Sequence, residues 1–204
     1  VVLGPRDTGS TFYSFLRGEG EWDKRDDPAN PNKGFRIRAE TQATSRRIGA
    51  DVSLASLRTS ESYYIPLSSR LIWSHRSVQS AVRPFDGTEV VPLSQRIFLG
   101  GRDSLRGFSR YSVSPRGAQG DVVGGDTSIE YSSEFQYAFT ENIRGAIFLD
   151  TGVSVLKQTG TFTGDALTLS WRDLRYSPGF GVRYKTPIGP IRLEFGFALD
   201  RQFG

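Results

Sequence analysis

The sequence predicts an all-β protein, an antiparallel transmembrane β-barrel with about eight strands in the chain, on three observations. The first is a period-two alternation that recurs along most of its length. Tyr176, Phe180, Val182 and Tyr184 oppose Arg175, Ser177, Gly179, Gly181, Arg183 and Lys185, and Ile191, Leu193, Phe195, Phe197 and Leu199 oppose Arg192, Glu194, Gly196, Ala198 and Asp200. Side chains two apart share one face of a strand. The second is composition: 37% apolar residues in 204, with a mean hydropathy of −0.38, is lean for a packed core. The 23 glycines and 12% aromatics suit strands with one wet face and one greasy face. The third is that no run of 18 apolar residues occurs, which excludes a transmembrane helix and leaves strands as the element able to cross a bilayer. Alternation alone does not say which row faces in, so a soluble β sandwich or lectin stands as the alternative. Solubility without detergent would favour the sandwich, and heat-modifiable migration in detergent gels the barrel.

Taken in order, the strand segments are about 10–24, 34–45, 50–65, 69–82, 124–139, 142–156, 174–187 and 190–202. The second alternates cleanly, with Phe35, Ile37, Ala39, Thr41 and Ala43 opposite Arg36, Arg38, Glu40, Gln42 and Thr44. The fifth does the same, with Ile129, Tyr131, Ser133, Phe135, Tyr137 and Phe139 opposite Glu130, Ser132, Glu134, Gln136 and Ala138. The first and fourth are ambiguous, because Tyr13 with Phe15 and Ile72 with Val78 break the row. Pro66-Leu67-Ser68, Thr140-Glu141 and Pro187-Ile188-Gly189-Pro190 are short turns, placed at the periplasmic end, and the Asp26–Gly34 cluster falls at that end by parity. The segments near 45–50 and 157–173 then lie at the opposite, outer end. Trp22, Trp73, Trp171 and the tyrosines read either as core aromatics or, since several lie near strand ends, as an interfacial girdle. From about 83 to 123 the alternation stops. A connection that long is usually functional or disordered. Ile97, Phe98, Leu99, Leu105, Phe108, Tyr111 and Val113 argue against disorder, and the loop is expected to fold against another part of a single transmembrane barrel domain spanning 1–204.

Several function classes fall away. The net charge of +4 and pI near 9.5 come from Arg and Lys interspersed with Asp and Glu, not clustered, so no nucleic acid is expected as a partner. There is no cysteine, and hence neither a disulfide nor a thiolate metal site. His75, the single histidine, sits in a strand beside Trp73 and reads as a wall residue. No G-x-S-x-G elbow accompanies it, and the glycine-rich stretches, Gly124-Gly125 included, lack the strand-to-helix setting of a phosphate loop. Glu134 and Asp150 as an acid/base pair are less apt than as members of an ion-pair network. No catalytic, cofactor-binding or metal residue is expected, nor any enzymatic activity. The chain begins at Val1 without a methionine or signal-like segment, which reads as a processed or excised piece of a longer precursor.

Within the long loop lie Phe98-Leu99-Gly100-Gly101 and Leu105-Arg106-Gly107-Phe108. Around them stand Asp23-x-Arg25-Asp26-x-Pro28-x-Asn30-Pro31-x-x-Gly34, Tyr64-Ile65-Pro66-Leu67, Gly124-Gly125 followed by Glu134-Phe135, and Phe148-x-Asp150-x-Gly152. The series closes on Gly179-x-Gly181-x-Arg183-x-x-Thr186-Pro187-x-Gly189-Pro190-Ile191-Arg192-Leu193. In this order the fragments resemble the BamA/TamA superfamily of outer-membrane barrel assembly factors over nearly the whole chain. Parity places Glu134 and Asp150 on polar rows that line the lumen, where a guanidinium from the loop would form charge-assisted, bidentate bonds. The resemblance implies the same contact for Arg106. Gly107 would let the backbone approach the wall, Phe108 would fill an adjacent cleft, and Asp26, Pro31 and Gly34 would shape a structural turn.

The resemblance implies a sixteen-stranded barrel, of which this is the later half, preceded by POTRA domains and served by accessory subunits. An eight-stranded barrel is already filled by its own side chains and has no room for a forty-residue loop. The family continues past this hairpin into a last strand, whereas the chain stops at Phe203-Gly204, so a missing N-terminal part, self-association or a partner chain is expected to cover the two open edges. The expected partners are the outer-membrane bilayer of a Gram-negative-type envelope, an organellar one being less apt, and nascent outer-membrane or secreted proteins. The expected function is assembly, insertion or translocation of such proteins without covalent chemistry. A two-partner secretion pore and the membrane anchor of a fused phospholipase are the alternatives.

Overall fold

A computed structural model describes residues 10–157, 173–186 and 189–199. Its strands are β1 (Phe15–Asp23), β2 (Gly34–Thr44), β3 (Leu54–Pro66), β4 (Leu71–Pro84), β5 (Thr127–Ala138), β6 (Ile143–Val155), β7 (Arg175–Thr186) and β8 (Gly189–Gly196). They form one antiparallel sheet in sequence order, each strand paired with the next. Sequential hairpins need no crossover, which is why short turns suffice at one end. Among the described residues β1 and β8 do not pair with each other, and no helix is long and apolar enough to cross a membrane. The predicted outer segment 157–173, the Pro187-Ile188 part of its neighbouring turn, Trp171, Asp200 and Phe203-Gly204 lie outside the described residues, apart from the ends Lys157 and Asp173.

Directly paired residues share a face, so the register sorts the rows. One row carries Ser74, Glu134, Phe148 and Gly179 across β4 to β7, and the opposite row carries Trp73, Phe135, Ile147 and Phe180. The second is the greasy face: Ile147 and Leu193 are each 62% exposed, and Phe135, Leu149, Phe180, Ile191 and Phe195 are exposed with them. The first is polar and faces the long loop. The sheet is curled strongly enough that Asn32, in the turn after β1, accepts a 2.5 Å hydrogen bond from Arg144 of β6.

Strand ends depart from the sequence reading where side chains leave the sheet to pack. β1 begins at Phe15, not at 10: the Phe12 N–H donates to Asp51 Oδ2 at 2.7 Å, and Tyr13 packs against a buried cluster of Val52, Leu54, Val82 and Val91. In β4 the alternation breaks because Ile72 and Val78, paired with Gln136 and Glu130 on the inward row, are apolar residues buried on the polar side of the sheet. β8 is continuous to Gly196, where the loop backbone presses on it, and pairing with β7 goes on through the Phe197 N–H to the Pro178 carbonyl and the Leu199 N–H to the Tyr176 carbonyl, each at 2.9 Å; the predicted end near 202 lies outside the described residues. Between Pro84 and Thr127 there is only a 3-10 turn at Leu93–Gln95 and isolated bridges such as Ile97 with Gly125.

Candidate functional site

The loop places its own small core against the inward row. Leu99, Leu105, Phe108 and Val113 are buried together, so Phe108 sits among loop side chains. The Leu99 N–H donates to Ser114 Oγ at 2.8 Å and the Val113 N–H to the Leu99 carbonyl at 3.2 Å, tying the two arms of the loop. Leu105, fully buried, reaches Gly152 of β6, where a Cβ would come within 2.9 Å of its methyl group. Gly107 has φ of +87°, a region open to glycine, and a Cβ there would meet the Gly196 carbonyl carbon at 2.5 Å and Ser177 Oγ at 2.6 Å. Glycine faces glycine at that crossing, and the loop backbone lies directly on β8.

Between those two anchors Arg106 spends all five guanidinium N–H donors. Nε donates to Asp150 Oδ2 at 2.8 Å and Nη2 to Asp150 Oδ1 at 2.7 Å, a bidentate fork. Nη2 also reaches Ser132 Oγ at 3.1 Å, and Nη1 donates to Glu134 Oε2 at 3.0 Å and Glu194 Oε2 at 3.2 Å. Its main-chain N–H adds a bond to Asp150 Oδ2 at 3.1 Å, and its carbonyl accepts from the Ser177 hydroxyl. The guanidinium carbon lies 3.4 Å from the centroid of the Phe148 ring, a cation–π contact from the same inward row as Asp150. A planar fork with five donors is what this arrangement requires, and a lysine cannot supply it.

The carboxylates are in turn held apart by a second cation. Arg183 donates from Nη2 to Glu134 Oε2 at 2.7 Å and to Glu194 Oε1 at 2.6 Å. Three carboxylates from β5, β6 and β8 thus meet two guanidinium groups, one from the loop and one from β7. Asp150 and Glu134 side chains are 2% and 8% exposed, so their charges are largely screened from water and the bonds are correspondingly strong. Burial by itself would push the Arg106 guanidinium down, but Asp150 and Glu134 outweigh it and hold it above its ordinary value. Beside the cluster opens a cavity of about 350 Å³ whose lining includes Arg76, Asp103, Arg192 and, from the turn after β1, Asn30 and Pro31.

That turn is built around Asp26. Its Oδ1 accepts from the N–H groups of Asn32 at 2.9 Å and Lys33 at 3.1 Å, and Oδ2 from the Asn32 amide at 3.2 Å. Burial pushes the Asp26 carboxyl up, yet those N–H groups prevail and hold it down at about 2. Arg25 forks onto Asp23 at 2.6 Å and donates to the Pro28 carbonyl. At Gly34, φ is +99° and a Cβ would lie 2.1 Å from the Lys24 carbonyl oxygen, so only glycine permits the hairpin to close there.

The structure therefore brings Leu105, Arg106 and Gly107 onto the wall with Glu134 and Asp150, places Phe108 inside the loop, and gathers Asp26, Pro31 and Gly34 in one turn. It adds Ser132, Phe148, Ser177, Arg183, Glu194 and Gly196, which sequence reasoning did not single out as site residues. Parity already put Arg183 and Glu194 on polar rows, and Phe148 was an aromatic on the otherwise small or polar inward row of β6. Among the described residues no group of three or more His, Asp or Glu is placed to hold a metal.

Residues 4–204 match the model of the Omp85 superfamily domain. The chain is 28% identical over 182 residues to the outer membrane protein assembly factor BamA of Nitratidesulfovibrio vulgaris, covering 87% of this chain and 22% of that protein. It is 30% identical over 128 residues to the human sorting and assembly machinery component 50 homolog, covering 59% of this chain and 25% of that one. The chain thus spans about a quarter or less of the length of these relatives. Among solved structures, BamA from Haemophilus ducreyi lacking POTRA domains 1–3 superposes with a TM-score of 0.77 at 23% identity, over 93% of this chain and 39% of that one, a likeness of fold. With the family model spanning nearly every residue, the chain belongs to the Omp85 superfamily.

Proposed function

We propose that this chain is the later part of an outer-membrane barrel that assembles and inserts β-barrel proteins, acting without covalent chemistry. The observation that carries the reading is family membership over nearly the whole chain, and the names of its relatives, an assembly factor and a sorting and assembly component, support it. The exposed apolar rows meet hydrocarbon, and the polar rows line an aqueous interior. The partners are the outer-membrane bilayer, nascent outer-membrane proteins, and POTRA domains and accessory subunits contributed from outside these residues. Residues 83–123 form an inward-folding loop of one partial barrel domain, and Leu105, Arg106 and Gly107 pin it to Glu134 and Asp150, with Phe108 holding the loop's own core together. Arg106 ties strands that are not neighbours, β6 with β8, so the loop braces the wall on that side while substrate strands add to the barrel elsewhere.

The test is insertion by the full-length protein in proteoliposomes. Folding of a urea-denatured β-barrel substrate into the bilayer is expected to accelerate over empty liposomes, and to slow again when Arg106 is replaced by alanine. No acceleration by the wild-type protein refutes the reading, and hydrolysis of the phospholipid would point instead to a fused lipase.

A further inference from the structure

On β3 and β4 the outward row changes character. The register places Ile37, Glu61, Ser77 and Tyr131 in one outward line, and Ala39, Thr59, Gln79 and Ile129 in the next. Thr59 Oγ1 bonds Gln79 Oε1 at 2.5 Å, and the Gln79 amide donates to the Ser77 hydroxyl. These polar groups satisfy one another. Glu61 has no hydrogen bond or ion pair among the described residues, and the paired outward positions around it, Ile37 and Ser77 beside it and Thr59 and Tyr63 along β3, carry no charge. A carboxylate on a lipid-facing row is costly, and an unpartnered one marks a site more readily than it serves the wall.

Its neighbours define what would pair with it. Rings flank it in its own line and in the line two residues nearer the β3–β4 turn: Trp22, level with Glu61, meets Phe35 edge-on at 4.9 Å, Phe35 stacks on Tyr63 at 5.9 Å, and Tyr63 stacks on His75 at 4.9 Å. His75 continues to Trp73 at 5.5 Å and Tyr131 at 6.1 Å. Rings at this height are an interfacial girdle, and Glu61 stands just inside it, close enough to headgroup level for its side chain to reach down. An acid beside a row of aromatic rings can hold a small cation, by ion pair and by cation–π attraction together. We propose that Glu61, with Tyr63 and His75 as its shelf, binds the primary ammonium of an ethanolamine-type phospholipid headgroup on the outer surface of β3 and β4. A single compact negative charge, with uncharged neighbours on every side and aromatic rings toward the turn, complements one headgroup.

The inference rests on the reading that the outward rows meet lipid, and the test separates the two. Full-length protein is reconstituted in nanodiscs of equal parts phosphatidylethanolamine and phosphatidylglycerol, then stripped stepwise with detergent while retained lipid is read by native mass spectrometry. Wild-type protein is expected to keep phosphatidylethanolamine over phosphatidylglycerol by about five-fold, Glu61→Asp to keep part of that preference, and Glu61→Gln to lose it. Heat-modifiable migration verifies that each variant is folded. Equal retention by wild type and Glu61→Gln overturns the headgroup site alone, as does a photo-cross-link from position 59 that captures a polypeptide in place of lipid. Failure of the wild-type protein to enter nanodiscs overturns the membrane reading and this site with it.

Discussion

Replacing Arg106 with alanine removes five side-chain hydrogen bonds at once and leaves Asp150, 2% exposed, facing Glu134 and Glu194 with only Arg183 to offset three negative charges. Breaking a buried ion pair by deleting one partner costs about 3–5 kcal/mol, most of it the stranded charge. That corresponds to an opening equilibrium for the loop raised by about two to four orders of magnitude. Lysine keeps the charge but not the fork, and should recover only part of the loss. The assay is protease protection and amide exchange of residues 95–120 in the full-length protein in detergent or liposomes, where local opening is read directly. A double variant, Arg106→Ala with Asp150→Asn, should cost clearly less than the two single effects added, because the second change removes the stranded charge. Protection of 95–120 unchanged in Arg106→Ala, with insertion activity also unchanged, would refute the reasoning.

Three further outcomes follow from the geometry. Gly107→Ala places a Cβ 2.5 Å from the Gly196 backbone at a φ of +87°, and Gly196→Ala places one 2.6 Å from the Arg106 carbonyl carbon; each should release the loop to proteolysis, and the pair together little more than either. Phe148→Leu removes the ring under the guanidinium and should raise loop exchange by about ten-fold, the equivalent of 1–2 kcal/mol. Asp26, held down at about 2 from an ordinary 3.8, stabilises its turn fully above the ordinary value and loses that contribution as pH falls through about 2. Pepsin cleavage near residues 24–34 should therefore distinguish wild type from Asp26→Asn at pH 5 pre-incubation and progressively less as pre-incubation approaches pH 2; a constant difference would contradict the assignment.

Much of this architecture was legible because a strand writes its two faces into alternate residues. Glu134 and Asp150 could be assigned to one wall from parity, and the strand cores at 35–44 and 129–138 needed no tertiary information. What alternation could not carry was any contact made by the segment that abandons it. The burial of Phe108 within the loop, the place of Phe148 beneath Arg106 and the crossing of Gly107 over Gly196 each depend on where the loop lies against the wall, a relation between residues up to about 90 apart. Tyr13, Ile72 and Val78 looked like errors in a pattern for a related reason: Tyr13 serves a core between sheet and loop, Ile72 and Val78 are buried on the inward side, and a single strand's periodicity does not record what covers its faces. Glu61 shows the opposite failure, a charged residue on an outward row that parity alone does not mark.

The carboxylates that receive Arg106 lie 28, 44 and 88 residues further along the chain. As the polypeptide emerges, the arginine must wait for all of them, and the last arrives only with the final described hairpin. Contacts of such separation form late and slowly. The seated loop is thus a record of completion: a molecule truncated before Glu194 lacks one of its acceptors, and one whose β7–β8 hairpin has not docked offers no Gly196 for Gly107 to rest on. Quality control that senses a free loop would be sensing an unfinished wall.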